Sequence, residues 1–226
     1  MKKNIHFFRR NEPIKDESII EKIGLRGKLA NEFAALDLPI LPGFIIDADI
    51  ASHLEAQPLT EHFKDYLKKL EDHTSKVFGD PVNPLVLKIV ISPNLAIINY
   101  PTLHNFGLTD ATIPGFNSFV GENFGYHEIQ FLLNGMLEIE TKIAEIENRT
   151  KDVEKLKKQL EFLQKEMKEE RKVAERIAAI NTCKPFLPEG FFSDAQIQLE
   201  ISLKRISKML DLDELIDNDA ALIIQP

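Results

Sequence analysis

Apolar residues in the first part of the chain come in short runs set off by proline and glycine. A long polar stretch follows, and the chain closes on another apolar run. This divides the sequence into zones at 1–135, 136–180 and 181–226. In the first zone, Ser18–Leu36 has helical spacing interrupted at Gly24 and Gly27, and Ser18 with Glu21 has capping-box spacing. Leu38–Ile46 reads as a turn entering a strand, because Pro39 and Pro42 push the residues before them toward extended backbone. Asp47 or Asp49 is placed to cap a short helix. Thr60 is placed to cap another, with Phe63, Leu67 and Leu70 on one face. Pro84–Ile91 is β-branched and nearly continuously apolar, which predicts a buried strand, and 96–100 predicts a second short one.

The second zone lacks glycine and proline from 136 to 180 and carries a narrow apolar seam. Ile139, Ile143, Ile146, Thr150 and Val153 step by four and three. Leu156, Leu160, Leu163 and Met167 continue after a shift of register. Acid-before-base pairs four apart, such as Glu138–Lys142 and Glu154–Lys158, each add about 0.2–0.5 kcal/mol to a helix. A helix with so narrow a seam must pack on something. A hairpin breaking near Asn148–Thr150, or an arm of one chain, is favoured over an intermolecular coiled coil. The third zone predicts a loop at Lys184–Gly190, a helix capped by Ser193 with Gln196, and a strand from Ala220. The fold class expected is α/β (α+β), with a mixed sheet and a long helical hairpin or arm.

Composition narrows the function classes. At 226 residues and 43% hydrophobic, the chain can bury a sizeable core. No apolar stretch is long enough to span a bilayer, and the basic start MKKNIHFFRR lacks a signal-peptide apolar run. The formal charge is −8, and residues 138–176 hold eleven acids and eleven bases, so the deficit lies elsewhere. Nucleic acid as a partner is therefore not expected. The single Cys183 forms no intrachain disulfide, and a cytoplasmic setting fits. The six histidines make no metal-ligand spacing, so no metal site is expected. Gly24-Leu25-Arg26-Gly27-Lys28 is neither a Walker loop nor a dinucleotide fingerprint, and by itself reads as a helix-start turn.

Three stretches in order carry a family resemblance. Gly24–Glu32 followed by Leu36–Phe44 is similar to a G-G-K-G-A-N-L-A-E and G-L-P-V-P-P-G-F pair. Phe78-Gly79-Asp80-Pro81-Val82-Asn83-Pro84-Leu85-Val86-Leu87 is similar to F-G-D-P-x-N-P-L-L-V, which leads into S-V-R-S-G-A. Asn105–Asp110 is similar to N-L-G-L-N-D. Together they resemble the N-terminal nucleotide-binding region of the pyruvate phosphate dikinase and phosphoenolpyruvate synthase family. The resemblance implies the first lobe of an ATP-grasp-type fold, with ATP and Mg as cofactors. The lobe would support phosphoryl transfer to a phosphohistidine domain and then to pyruvate on a third domain. The tail Ala221–Gln225 looks like the strand before the family's second subdomain, so a truncated piece of a longer chain is expected, with the metal-holding carboxylates past Pro226.

Carried over residue by residue, the family lysine falls on Arg26, with Lys28 as a substitute two residues on. The family arginine falls on Val90, which offers no donor and no charge. Losing such a contact to a transition state typically costs about 3–4 kcal/mol. Lys88 lies on the same strand face as Val90 and is the nearby cation. A threonine near the nucleotide falls on Asp47, which would repel phosphate, and the S-M-P-G-M-M-D segment is rewritten at 96–101. Arg26, Lys28 and Lys88 are thus the candidate nucleotide-binding residues, with no catalytic residue assigned. Two readings follow. One is an ATP-binding fragment of a dikinase-like phosphotransferase, inactive by itself. The other is a degenerate, non-catalytic relative serving as a binding or regulatory module.

Overall fold

Strand β1 (Ile5–Phe8), strand β2 (Gly43–Ile46), strand β3 (Leu87–Pro93) and strand β5 (Ala220–Gln225) form the framework of one compact unit in a computed structural model. The structure describes residues 2–54, 60–95, 100–213 and 219–226. The first unit comprises Met1–Ser75, Leu87–Thr102 and Ile206–Pro226. The second comprises Lys76–Val86 and Leu103–Arg205. Within the first unit the strands run in the order β1-β2-β5-β3, and the pairings among them are antiparallel, so this part of the sheet is not the mixed one expected. The α+β class expected from the sequence holds. The closing apolar run 220–225 is an interior strand, buried between β2 and β3, which is why it carries no charge. The second short strand expected at 96–100 falls mainly outside the described residues.

Side chains alternate across this sheet. On one face Ile45, Ile223 and Val90 stand side by side across β2, β5 and β3. They pack with Phe8, Ile23, Ala30 and Ala221 beneath α2 (Gly24–Ala35). Phe44 points to the other face and stacks on Phe63 of α4 (Thr60–Thr74), with ring centroids 5.8 Å apart. Tyr66 of α4 donates its hydroxyl hydrogen to the Ile5 carbonyl at 2.9 Å. The stretch expected as one interrupted helix over 18–36 is instead α1 (Glu17–Ile20) and α2, with the break at 21–23. Gly27 lies inside α2 and does not interrupt it. The cap of α1 is Asp16, whose carboxylate accepts from the Ser18 amide and hydroxyl. Those bonds hold the Asp16 carboxyl below the usual range.

The second unit is built on α6 (Glu122–Ile146), which packs against β4 (Leu103–Phe106), α5 (Ile113–Val120), α7 (Thr150–Lys168) and α8 (Val173–Cys183). The hairpin reading of the charged stretch is realised: α6 and α7 are joined at 147–149, where Asn148 takes a positive φ of 57°. Lys157 pairs with Glu145 across the turn at 2.6 Å. Ile139, Ile143, Leu156 and Leu163 are buried, so the apolar seam lies inside the bundle. Helix α9 (Ala195–Leu212) begins in this unit, where Arg205 makes a bidentate pair with Glu140. Its cap falls one residue later than the sequence spacing predicts. Asp194 accepts from the Gln196 and Ile197 amides, while Ser193 donates to the Gly190 carbonyl.

Two of the recurring motifs prove to be turns of the second unit. In Phe78–Leu85 the Asp80 carboxylate accepts the amides of Val82 and Asn83, both at 2.7 Å, and Gly79 takes a φ of +84°. In Asn105–Asp110 Gly107 has a φ of +93°, and a Cβ there would lie 2.6 Å from the Leu85 carbonyl oxygen. The Gly107 amide donates to Gln198, whose own amide donates to the Leu108 carbonyl. Both segments are held by backbone geometry that their particular residues permit.

Cys183 is fully buried, and burial pushes its thiol up to about 11. The folded state therefore favours the protonated thiol. Its contribution to stability is complete below the unfolded value of 9.0 and is lost as pH rises through about 11. Native protein at pH 8 should react with a chromogenic disulfide on the order of 100-fold more slowly than denatured protein. Comparable rates would show that the thiol is accessible.

Candidate functional site

The candidate nucleotide-binding residues all lie in the first unit, Arg26 and Lys28 near the start of α2, which meets the end of β3, and Lys88 at the start of β3. Gly24 opens α2 with a φ of +68°, and a Cβ on it would lie 1.7 Å from the Ser92 carbonyl oxygen. Only glycine lets the helix begin this close to the strand. The Ser92 hydroxyl then bridges the two elements. It accepts from the Gly27 amide at 3.1 Å and donates to the Ile23 carbonyl at 3.0 Å. Gly27 in turn lets α2 settle onto Ile23 and Ile45. Asn94, just past β3, donates to the Glu21 carbonyl and to Asp219.

The expected cations are not gathered at one point. Arg26 extends along β3, where Nη1 donates to the Ile91 carbonyl at 3.2 Å. Lys28 lies two residues further on a helix, so it faces away from Arg26. Its ammonium pairs with Glu21 at 3.2 Å. Lys88 sits opposite Gln225 at the start of β3, and its ammonium forms no hydrogen bond or ion pair among the described residues. It shares a face with Val90 and Ser92, but stands about 13 Å along the strand from Ser92 at ~3.3 Å per residue.

Val90 lies between them in an apolar row. Its register partner on β5 is Ile223, which in turn pairs with Ile45. The half-buried valine packs against the cluster under α2. Asp47 is also removed from any open surface. It is buried, occupies the N-cap position of α3 (Ala48–Ala51) without capping it, and turns its carboxylate inward. His6 Nε2 lies 3.0 Å from Oδ2, and the Asn4 side-chain amide donates to the carboxylate at 3.3 Å. Among the described residues, no group of three or more His, Cys, Asp or Glu side chains is arranged to hold a metal ion.

Sequence reasoning missed Ser92 as the residue that closes this corner. The signal was a small hydroxyl residue at the end of a β-branched run, a position where a buried polar atom needs two partners. Among the described residues, this corner does not converge several side-chain cations on one point. A polyphosphate cradle presents several free N–H groups or cations converging on one anion. Here the Gly27 amide is taken by Ser92, Arg26 spends a donor on Ile91, and Val90 supplies none.

The chain is 38% identical over 224 residues to a pyruvate, phosphate dikinase of Treponema pallidum. That match covers 99% of the chain and 25% of the relative. The chain is homologous to a segment of the pyruvate, phosphate dikinases. A dikinase of Rickettsia bellii is 31% identical over 120 residues, covering 49% of the chain and 13% of that protein. The chloroplastic pyruvate, phosphate dikinase 1 of Zea mays is 26% identical over 143 residues, covering 59% of the chain and 15% of that protein. The chain thus spans about a quarter or less of the dikinases it matches. No protein-family model matches it. No helix among the described residues is long and apolar enough to cross a membrane.

The Ser92 bridge sets a stability test. Ser92→Ala leaves the buried Gly27 amide without its acceptor and should cost about 1–3 kcal/mol. Gly24→Ala forces a Cβ into the β3 backbone and should cost more than Ser92→Ala. Denaturant unfolding of the two variants checks both magnitudes. Wild-type midpoints in both would show that α2 does not depend on this corner.

Proposed function

We propose that this chain is the nucleotide-side lobe of a dikinase-like phosphotransferase, of ATP-grasp type, and that alone it does not carry out phosphoryl transfer. The observation that carries this reading is the relation over 99% of the chain to a quarter of the Treponema pallidum dikinase. In this reading the lobe lies beside an adenine nucleotide with Mg, in a longer cytoplasmic chain that also carries a phosphohistidine domain and a pyruvate-binding domain. Lys88, whose ammonium has no hydrogen bond or ion pair among the described residues, offers the lobe's main cation. Arg26 would contribute only by releasing the Ile91 carbonyl. The residues present do not form a triphosphate cradle, so no chemical step is assigned to them.

One observation favours the second reading, a non-catalytic binding or regulatory module. Val90 is integrated into the Ile45–Ile223–Val90 row rather than left beside a polar gap. An arginine there would have to leave the apolar cluster or bury its charge, and both are costly. A fold retained for packing alone would take this form.

Calorimetry of the chain with ATP and magnesium should give weak or undetectable binding. Affinity near micromolar would contradict the reading. In a longer dikinase-like chain carrying this lobe, Lys88→Ala should lower ATP- and pyruvate-dependent turnover at least tenfold, and Arg26→Ala less. Unchanged turnover in both variants removes these residues from the mechanism. No turnover from a correctly folded wild-type chain favours the module.

A further inference from the structure

The second unit holds a polar site that the dikinase reading does not use. Helix α6 starts at Glu122 after Gly121, which occupies the N-cap position with a φ of +85° and has no side chain to accept the first-turn amides. A helix start leaves those N–H groups without intrahelical partners and concentrates positive partial charge there. Arg176 of α8 stands against this turn and is only 7% exposed. Its Nε donates to Asn123 Oδ1 at 2.6 Å, and its Nη1 donates to Gln130 Oε1 at 2.7 Å. Both acceptors are neutral amides. Among the described residues no carboxylate pairs with this guanidinium, and its Nη2 has no partner. Gln130 Nε2, a second buried donor, also has no partner.

A buried cation beside a positive helix end is unfavourable unless an anion joins them. Arg176, Gly121, Glu122, Asn123, Phe124 and His127 line one open depression of about 540 Å³. Glu122 is exposed and forms no pair with Arg176, so it leaves the buried charge unmatched. The start of α8 does not compete for a ligand, because Glu175 accepts its N-cap amide at 2.8 Å. Phe124, 52% exposed, forms an apolar rim at the mouth.

We propose that this depression binds a phosphate group through Arg176 Nη2 and the first-turn amides of α6. A guanidinium fork and a helix start are the two donor types best matched to phosphate oxygens. Phe124 gives an organic substituent on that phosphate a surface to lie on. The site lies within the second unit and does not depend on the nucleotide reading of the first.

The test is a titration of the ¹⁵N-labelled chain with inorganic phosphate and, separately, phenyl phosphate, against chloride at matched ionic strength. The Asn123 and Phe124 amide resonances should shift saturably with either phosphate and not with chloride. A lower midpoint for phenyl phosphate identifies a phosphomonoester as the ligand, and equal midpoints identify free phosphate. Asn123→Asp places a carboxylate directly on Arg176. It should raise Tm, which shows that the variant folds, and weaken phosphate binding at least tenfold. No saturable shift in the wild type, or an equal midpoint in Asn123→Asp, would overturn the proposal.

Discussion

The first unit depends on the Ser92 hydroxyl, which binds the start of α2 to the end of β3. The bond forms because Gly24 takes a positive φ and carries no Cβ, so the helix can begin against the strand backbone. That approach places Ile23 and Ala30 over the sheet and seals the row Ile45, Ile223 and Val90 beneath them. A buried hydroxyl satisfied as both donor and acceptor stabilises this arrangement and would penalise any helix shift that broke one bond. The same contact occupies the Gly27 amide, one of the backbone donors at this corner.

Much of the fold was legible because it rests on short-range signals. The β-branched run of β3, the proline-bounded entry to β2 and the charged hairpin all follow from residue spacing alone. Capping was read less well. Asp16 and Asp194 act one or two residues from the Ser18 and Ser193 boxes, because several residues near a helix start compete for the same amides. The central place of β5 was not legible. Strand order depends on contacts between Ala220–Gln225 and β2 and β3, far apart in the sequence.

The candidate site was legible as a set of positions but not as an arrangement. Arg26, Lys28, Lys88 and Val90 all fall on α2 or β3, yet spacing could not show that Arg26 and Lys28 diverge or that Lys88 stands well down the strand from the corner. Asp47 looked like an acid facing phosphate and is a buried acceptor for His6 and Asn4. Two of the motifs that carry the resemblance, Phe78–Leu85 and Asn105–Asp110, are turns, the first fixed by the Asp80 Asx bonds and the second by Gly107 and its bond to Gln198. The motifs that carry the resemblance are therefore, in this structure, turns that shape the chain rather than groups that handle charge.

Amide hydrogen exchange at Gly27, followed with and without magnesium-ATP, tests the central claim most directly. The account predicts slow exchange in the free chain, as for the surrounding core, and no change when nucleotide is added. Rapid exchange in the free chain, or protection that appears only with nucleotide, would contradict it, because the amide would then be open to an anion instead of held by Ser92.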